Sequence, residues 1–317
     1  MASQVDHHVR AYRPPRQLGG RGPLSRPQRQ KLAAACFLAP ALVILTAFVG
    51  WPMVKAFRTS LFDSSGFGPE TWVGLGNYVR VFTDATFLKA LVNTAIYAAL
   101  FTPLAVLVAL GLALVVNDPR LPLRGLFRSV LFLPFIVSMA EAAFAWDYLI
   151  DPDVGLLHYW LRGVGVHLGN VLQDPTLAMP AVVLVAVWKS FGFYMVIFIA
   201  GLQDIPASLY EAAHVDGAGP VRRFRHVTLP MLNNTTTFVV IFALIAALQA
   251  FDQIYVMTQG GPFHATDTVV TQIYQTGFQK LDLGVASALS YVLLAATLLL
   301  SLVQFALASR REKDLSA

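Results

Sequence analysis

The chain has 317 residues, 56% of them hydrophobic and only 13% charged, with a formal net charge of +5. Soluble domains carry about 25% charged residues, so this composition excludes an ordinary soluble domain and puts much of the surface against lipid. Collagen-like and disordered classes fail on the same apolar excess, and a lone cysteine, Cys36, set in an apolar run, excludes a disulfide framework.

Residues 1–31 are basic and hold Pro14, Pro15, Pro23 and Pro27. This composition predicts a disordered tail, and His7 and His8 are too few for a metal site. Beyond it the apolar residues cluster. A bilayer core needs about 20 helical residues to cross. Stretches nearly free of charge place six helices at 32–54, 90–116, 128–149, 177–202, 235–257 and 283–308. The first run is too long for the core of a cleaved signal peptide, so it reads as a retained helix. The third reaches spanning length only by including Glu141 and Asp147. The fourth contains Lys189, and the fifth runs uncharged to Asp252. Barrel strands would alternate over about ten residues, so these continuous runs predict helices. The expected fold is an all-α membrane protein, with a transmembrane domain over 32–308 and a short tail over 309–317.

Charge sets the predicted orientation, because short cytoplasmic loops collect Lys and Arg. Six spans put both termini on one side. That side holds Arg10, Arg13, Arg16, Arg21, Arg26, Arg29 and Lys31, then Arg120, Arg124 and Arg128. It also holds Arg222, Arg223 and Arg225, then Arg310, Arg311 and Lys313. The other side has only Lys55, Arg58, Arg80, Lys89, Arg162 and Lys280. Both termini are expected in the cytoplasm of a bacterial or archaeal cell. The basic residues flank spans, so the positive charge marks topology rather than nucleic-acid binding.

The 203–234 loop on that side has helical signals of its own. Ser208 stands three residues before Glu211, a capping-box spacing. Gly217 or Gly219 can end the helix in a left-handed conformation, Pro220 suits the first turn of a second helix, and Pro230 should kink that helix before the next span. Glu211-Ala212-Ala213, Gly217, then Val227-x-Leu229-Pro230 resembles the EAA loop of binding-protein-dependent ABC importer permeases, with Val227 in the place of an isoleucine. Val73-Gly-Leu-Gly-Asn-Tyr78, Trp188-Lys189, Ala200-Gly-Leu-Gln203, Gly260-Gly-Pro262 and Tyr274-Gln-Thr-Gly-Phe278 are similar to segments of the carbohydrate-uptake branch. So is Asp282-Leu-Gly-Val-Ala-Ser-Ala288.

The resemblance covers roughly residues 30–310 and implies the type I ABC importer permease fold. It implies a non-enzymatic subunit that works with a second homologous permease, two ATPase subunits and an external solute-binding protein. ATP and magnesium would be bound by the ATPases, with no cofactor in this chain. It gives Glu211, Ala212, Ala213 and Gly217 the role of docking the ATPase, with Leu229 and Pro230 positioning the second short helix. Arg222, Arg223 and Arg225 serve either that contact or lipid headgroups.

The solute path is read from residues inside spans, where an ionisable group is costly and usually faces a cavity or partner. Asp252 lies among Gln249, Phe251, Gln253 and Tyr255. Carboxylate, amide and aromatic groups together suit a polyol, and the corresponding stretch of the maltose-type permease contributes to its sugar site, although its asparagines are not reproduced here. Ser287 and Ser290 are weaker candidates than this cluster; they could join the path or simply allow close helix packing. Lys189 is expected to pair with Asp252 or Glu141, to touch the partner permease, or to line the path. Asn93 and Thr94 are expected at a helix interface.

The solute is expected to be a sugar or oligosaccharide such as trehalose or a maltose-like sugar, or glycerol 3-phosphate. The competing reading is an ion-coupled secondary transporter using Asp252, Glu141 and Lys189 as its relay. The sequence has neither a Walker-type phosphate loop nor an H-E-x-x-H pair.

Overall fold

The computed structural model describes residues 26–165 and 169–316. The calls on His7, His8 and the first part of the basic tail lie outside these residues. The chain divides between Lys55 and Ala56 into two units. The first contains helix α1 (Arg26–Leu45) and a five-residue π segment (Thr46–Gly50). Helix α2 (Trp51–Ser60) continues across the division. Residues Ala33–Ser60 form one apolar helical stretch long enough to cross a bilayer. Helix α1 begins inside the predicted tail, so residues 26–31 are helical rather than disordered. Pro27 explains the early start, because proline fits a first turn where its missing N–H costs nothing.

In the second unit, strands β1 (Phe62–Asp63) and β2 (Thr71–Trp72) pair antiparallel. Helix α3 (Gly76–Thr83) follows, and Arg80 pairs with Asp282 at 2.9 Å. Helix α4 (Ala85–Val116) is the central span. Phe101, Ala105, Ala109 and Ala113 on it are buried, and their spacing puts them on one stripe. That stripe packs against helix α8 (Ala178–Gln203), which buries Val182, Ala186, Met195 and Phe198 in turn.

The third predicted span is two helices, α5 (Arg124–Ile136) and α6 (Met139–Ile150), bent by 95°. Val137 and Ser138 are extended at the break, and Ser138 Oγ accepts the N–H of Glu141. The serine caps α6, which lets the chain restart in a new direction. Gly192 of α8 permits the crossing with α5: a Cβ there would lie 2.4 Å from the Leu131 carbonyl oxygen. Helix α7 (Leu156–Gly163) lies between α6 and α8.

After α8 come α9 (Ala207–Val215), α10 (Pro220–Arg223), a π segment (Phe224–Thr228) and α11 (Leu229–Met231). Helix α12 (Asn233–Leu248) leaves them at 67°. The fifth predicted span does not reach 257. It stops at Leu248 and restarts as α13 (Asp252–Met257). Helix α14 (Val269–Tyr274) and a π segment (Gln275–Gln279) lead to α15 (Leu283–Ser316), which runs past the predicted end at 308. Among the described residues four helices are long and apolar enough to cross a membrane, and six if each bent pair counts as one span.

Candidate functional site

The 203–234 segment folds as the expected helix–turn–helix, but with a different start. Pro206, not Ser208, is the N-cap of α9, and its carbonyl accepts the Leu209 N–H at 3.1 Å. Ser208 therefore lies inside the first turn, and no capping box forms with Glu211. Proline presets an extended cap without a side-chain bond. The other end of α9 is a full Schellman turn: Ala218 N–H reaches Ala213 O at 2.9 Å and Gly217 N–H reaches His214 O at 3.0 Å. Gly217 supplies the left-handed residue at φ 72°, whereas Gly219 does not, at φ −68°.

Pro220 opens α10 as expected. Pro230 has no N–H to close the turn before it. The helix relaxes there into the π segment, where Leu229 N–H bonds back to Phe224 O. Tyr210 Oη lies 3.0 Å from Thr228 Oγ1, which ties the two arms together. Glu211, Ala212, Gly217, Leu229 and Pro230 are exposed, and Ala213 is half-buried. A cavity of about 500 Å³ lies between the hairpin and the end of α4, lined by Asn117, Tyr210, Arg223 and Thr228 among others. Asn117 Oδ1 accepts from Arg128 at 3.4 Å and from Gln203 at 3.3 Å. The ends of α4, α5 and α8 thus meet on one side chain beside the hairpin.

The expected solute-path residues differ in burial and in hydrogen-bond partners. The chain breaks at Gln249–Phe251, and the Ala250 carbonyl is taken up by Thr268 Oγ1 at 3.2 Å. That bond satisfies a buried carbonyl left open by the interrupted helix. Asp252 restarts α13 and is exposed, where a carboxylate complements the positive end of the helix. Gln249 is exposed. Gln253 is buried, and its Nε2 donates to Tyr97 Oη at 2.6 Å. That bond ties α13 to α4. Tyr255 stacks on Phe251 at 5.2 Å and meets Tyr274 edge-on at 5.0 Å. Ser290 Oγ donates to Ala286 O within its own helix, and Ser287 is half-buried.

Lys189 forms no ion pair within 4 Å with Asp252 or Glu141, although Asp252 lies close enough to act on it electrostatically. Its Nζ sits 4.8 Å from the centre of the Phe135 ring, a cation–π contact. The break after Ile136 places that ring beside α8, while Glu141 is exposed in the first turn of α6 and Asp147 is half-buried further along it.

Asn93 and Thr94 do more than line an interface. Asn93 Nδ2 donates to the carbonyls of His264 and Asp267 at 2.8 and 2.9 Å, and Thr94 Oγ1 accepts the Val269 N–H at 2.9 Å. Together they clamp the 258–268 loop to α4. Asp267 was not singled out by sequence reasoning, yet its side chain is only 2% exposed. Its Oδ2 meets His264 Nδ1 and accepts from Gln272 Nε2 at 2.9 Å. The available signal was Thr266-Asp267-Thr268, a polar triplet that a buried segment must satisfy with hydrogen bonds.

A bundle of long apolar helices, interrupted by one polar helix–turn–helix and by a polar, aromatic helix break, defines an all-α membrane protein. Residues 73–313 match the binding-protein-dependent transport system inner membrane component, and the chain belongs to that family of ABC transporter permeases. It is 38% identical over 276 residues to the sn-glycerol-3-phosphate transport system permease protein UgpA of Yersinia pestis, covering 86% of this chain and 92% of that one. It is 36% identical over 300 residues to the diacetylchitobiose uptake system permease protein NgcF of Streptomyces coelicolor, covering 88% and 85%. In a crystal structure of a bacterial ABC transporter that imports the acidic polysaccharide alginate, one chain superposes with a TM-score of 0.80. That match covers 89% of this chain and 96% of that one at 23% identity, so the fold is shared. Family membership sets aside the ion-coupled secondary transporter.

Proposed function

We propose that this permease imports a carbohydrate or related polyol, and that the 203–234 hairpin couples it to a separate ATPase. The observation that carries the coupling role is the motif, complete in spacing with Val227 in place of isoleucine, on a preformed turn. Glu211, Ala212 and Gly217 stand exposed on α9 and its Schellman turn, and the second arm joins α12 through a 67° bend. A rigid hairpin can pass a push from a docked subunit to a span without deforming. Leu229 and Pro230 set the angle of the second arm. Closure of two ATPases would draw the hairpins of two homologous permeases together, and the spans would rock between inward and outward openings. ATP and magnesium sit on the ATPases, not on this chain. Both termini lie in the cytoplasm, and an external binding protein delivers the solute.

The names of UgpA and NgcF support a polyhydroxylated solute, either a polyol phosphate or an amino-sugar disaccharide. Gln249, Asp252 and Tyr255 remain the path residues, with Tyr274 added through its ring contacts. Gln253, Ser290 and Lys189 act as supports of that path rather than as ligand contacts. The test is ATP-dependent uptake into proteoliposomes holding the assembled transporter, with maltose, trehalose, diacetylchitobiose and glycerol 3-phosphate as probes. Uptake that survives an uncoupler and disappears in Glu211→Ala, with normal membrane insertion, supports the proposal. Normal uptake by Glu211→Ala and Gly217→Val refutes the coupling role.

A further inference from the structure

Helix α7 closes one side of a cavity of about 270 Å³ between α6 and α8. Trp146 and Ile150 of α6, Leu157 and His158 of α7, and Leu184 and Trp188 of α8 line it. The two indoles meet edge to face at 5.4 Å, and His158 is 5% exposed. The volume equals roughly nine waters at about 30 Å³ each, but each water needs several polar partners and these walls are almost wholly apolar. A cavity of this kind stays dry and accepts an apolar guest.

The opposite face of α7 is also apolar and open. Tyr159 is 74% exposed and Trp160 63% exposed, with Arg162 exposed beside them. Tyrosine and tryptophan concentrate at the membrane–water boundary, and an amphipathic helix with a basic residue lies in that plane. The position of α7 agrees. It joins Ile150, the end of the bent third span, to Ala178, the start of the fourth. Such a connection lies at the membrane surface.

We propose that α7 is a membrane-surface helix and that the cavity behind it takes up the terminal part of one acyl chain of a bilayer phospholipid. None of the cavity's lining residues belongs to the solute path or to the coupling hairpin. The chain would act as a wedge that sets the spacing of α6 and α8.

The test uses the assembled transporter in nanodiscs of phosphatidylcholine bearing a diazirine at the end of an acyl chain. After irradiation, adducts are mapped by mass spectrometry. The proposal expects adducts on residues 146–150 and 181–188 that are lost when Ala181→Trp fills the cavity. Labelling of exposed Leu107 on α4 should be unchanged. If Ala181→Trp does not fold, Leu184→Trp narrows the same cavity from its rim. Unlabelled walls, or equal labelling in a filled variant that folds, would overturn the site. A nitroxide on Trp160→Cys, in a Cys36→Ser chain, tests the surface helix. Relaxation by oxygen above that by a water-soluble nickel complex supports lipid contact. The reverse order, or shielding from both by a neighbouring subunit, overturns it.

Discussion

Gly260 leaves no room for a side chain: a Cβ would lie 1.9 Å from Asp267 Oδ1, and its φ is 88°. Gly260→Ala must therefore move a buried carboxylate as well as strain the backbone. We expect it to loosen the 258–268 loop, read as a lower Tm and faster proteolysis between 257 and 269, while ATPase association survives. Gly217 is a contrasting case. Nothing lies within 4 Å of a Cβ there, so only its φ of 72° resists substitution. Gly217→Ala should cost about 1–2 kcal/mol in the hairpin, from left-handed strain alone. Uptake should fall less than in Glu211→Ala, a difference that parallel uptake assays would measure. Asp174 offers a pH test outside the spans. The hydroxyl and N–H of Thr176 and the Leu177 N–H hold its carboxyl below the ordinary value of 3.8. The contribution of these turn bonds is complete above that value and is lost as pH falls through the lowered one. A carbon-detected titration should place the Asp174 transition below 3.8, and a midpoint above 3.8 would contradict these turn bonds.

At the scale of elements, the legible features were those written in composition or fixed spacing. Uncharged runs revealed the long spans because a bilayer requires them, and Gly217, Pro220 and Pro230 marked the hairpin because their backbone preferences are local. The breaks were less legible. Ser138 and Gln249 interrupt apolar runs that look continuous in one dimension, and each break is completed from a distance or by a local cap. Ala250 depends on Thr268, 18 residues away. Thr268→Val should leave that carbonyl unpaired and also remove the N-cap of α14, destabilising the protein by about 1–3 kcal/mol, measured as a loss of thermal stability in detergent. Thr268→Ser should restore most of it. Lys189 was legible only in part: its close contact is a ring on another helix, which charge alone does not reveal. Asp267 was missed because its surroundings come from α4 and α14, far apart in the chain.

At the scale of the whole molecule, the low charge separates into roles. Arg80–Asp282 and Arg58–Glu70 fasten connections between elements. Asp267 is buried to hold a loop. Glu211 is left exposed on a rigid turn. That last placement is the centre of the account, and cross-linking tests it most directly. Ala212→Cys in a Cys36→Ser chain, with single cysteines placed across the nucleotide-free surface of the co-assembled ATPase, should give a specific adduct whose yield changes with ATP. Transport-active complexes that form no adduct at any of those positions, with or without ATP, would contradict the coupling role of the hairpin.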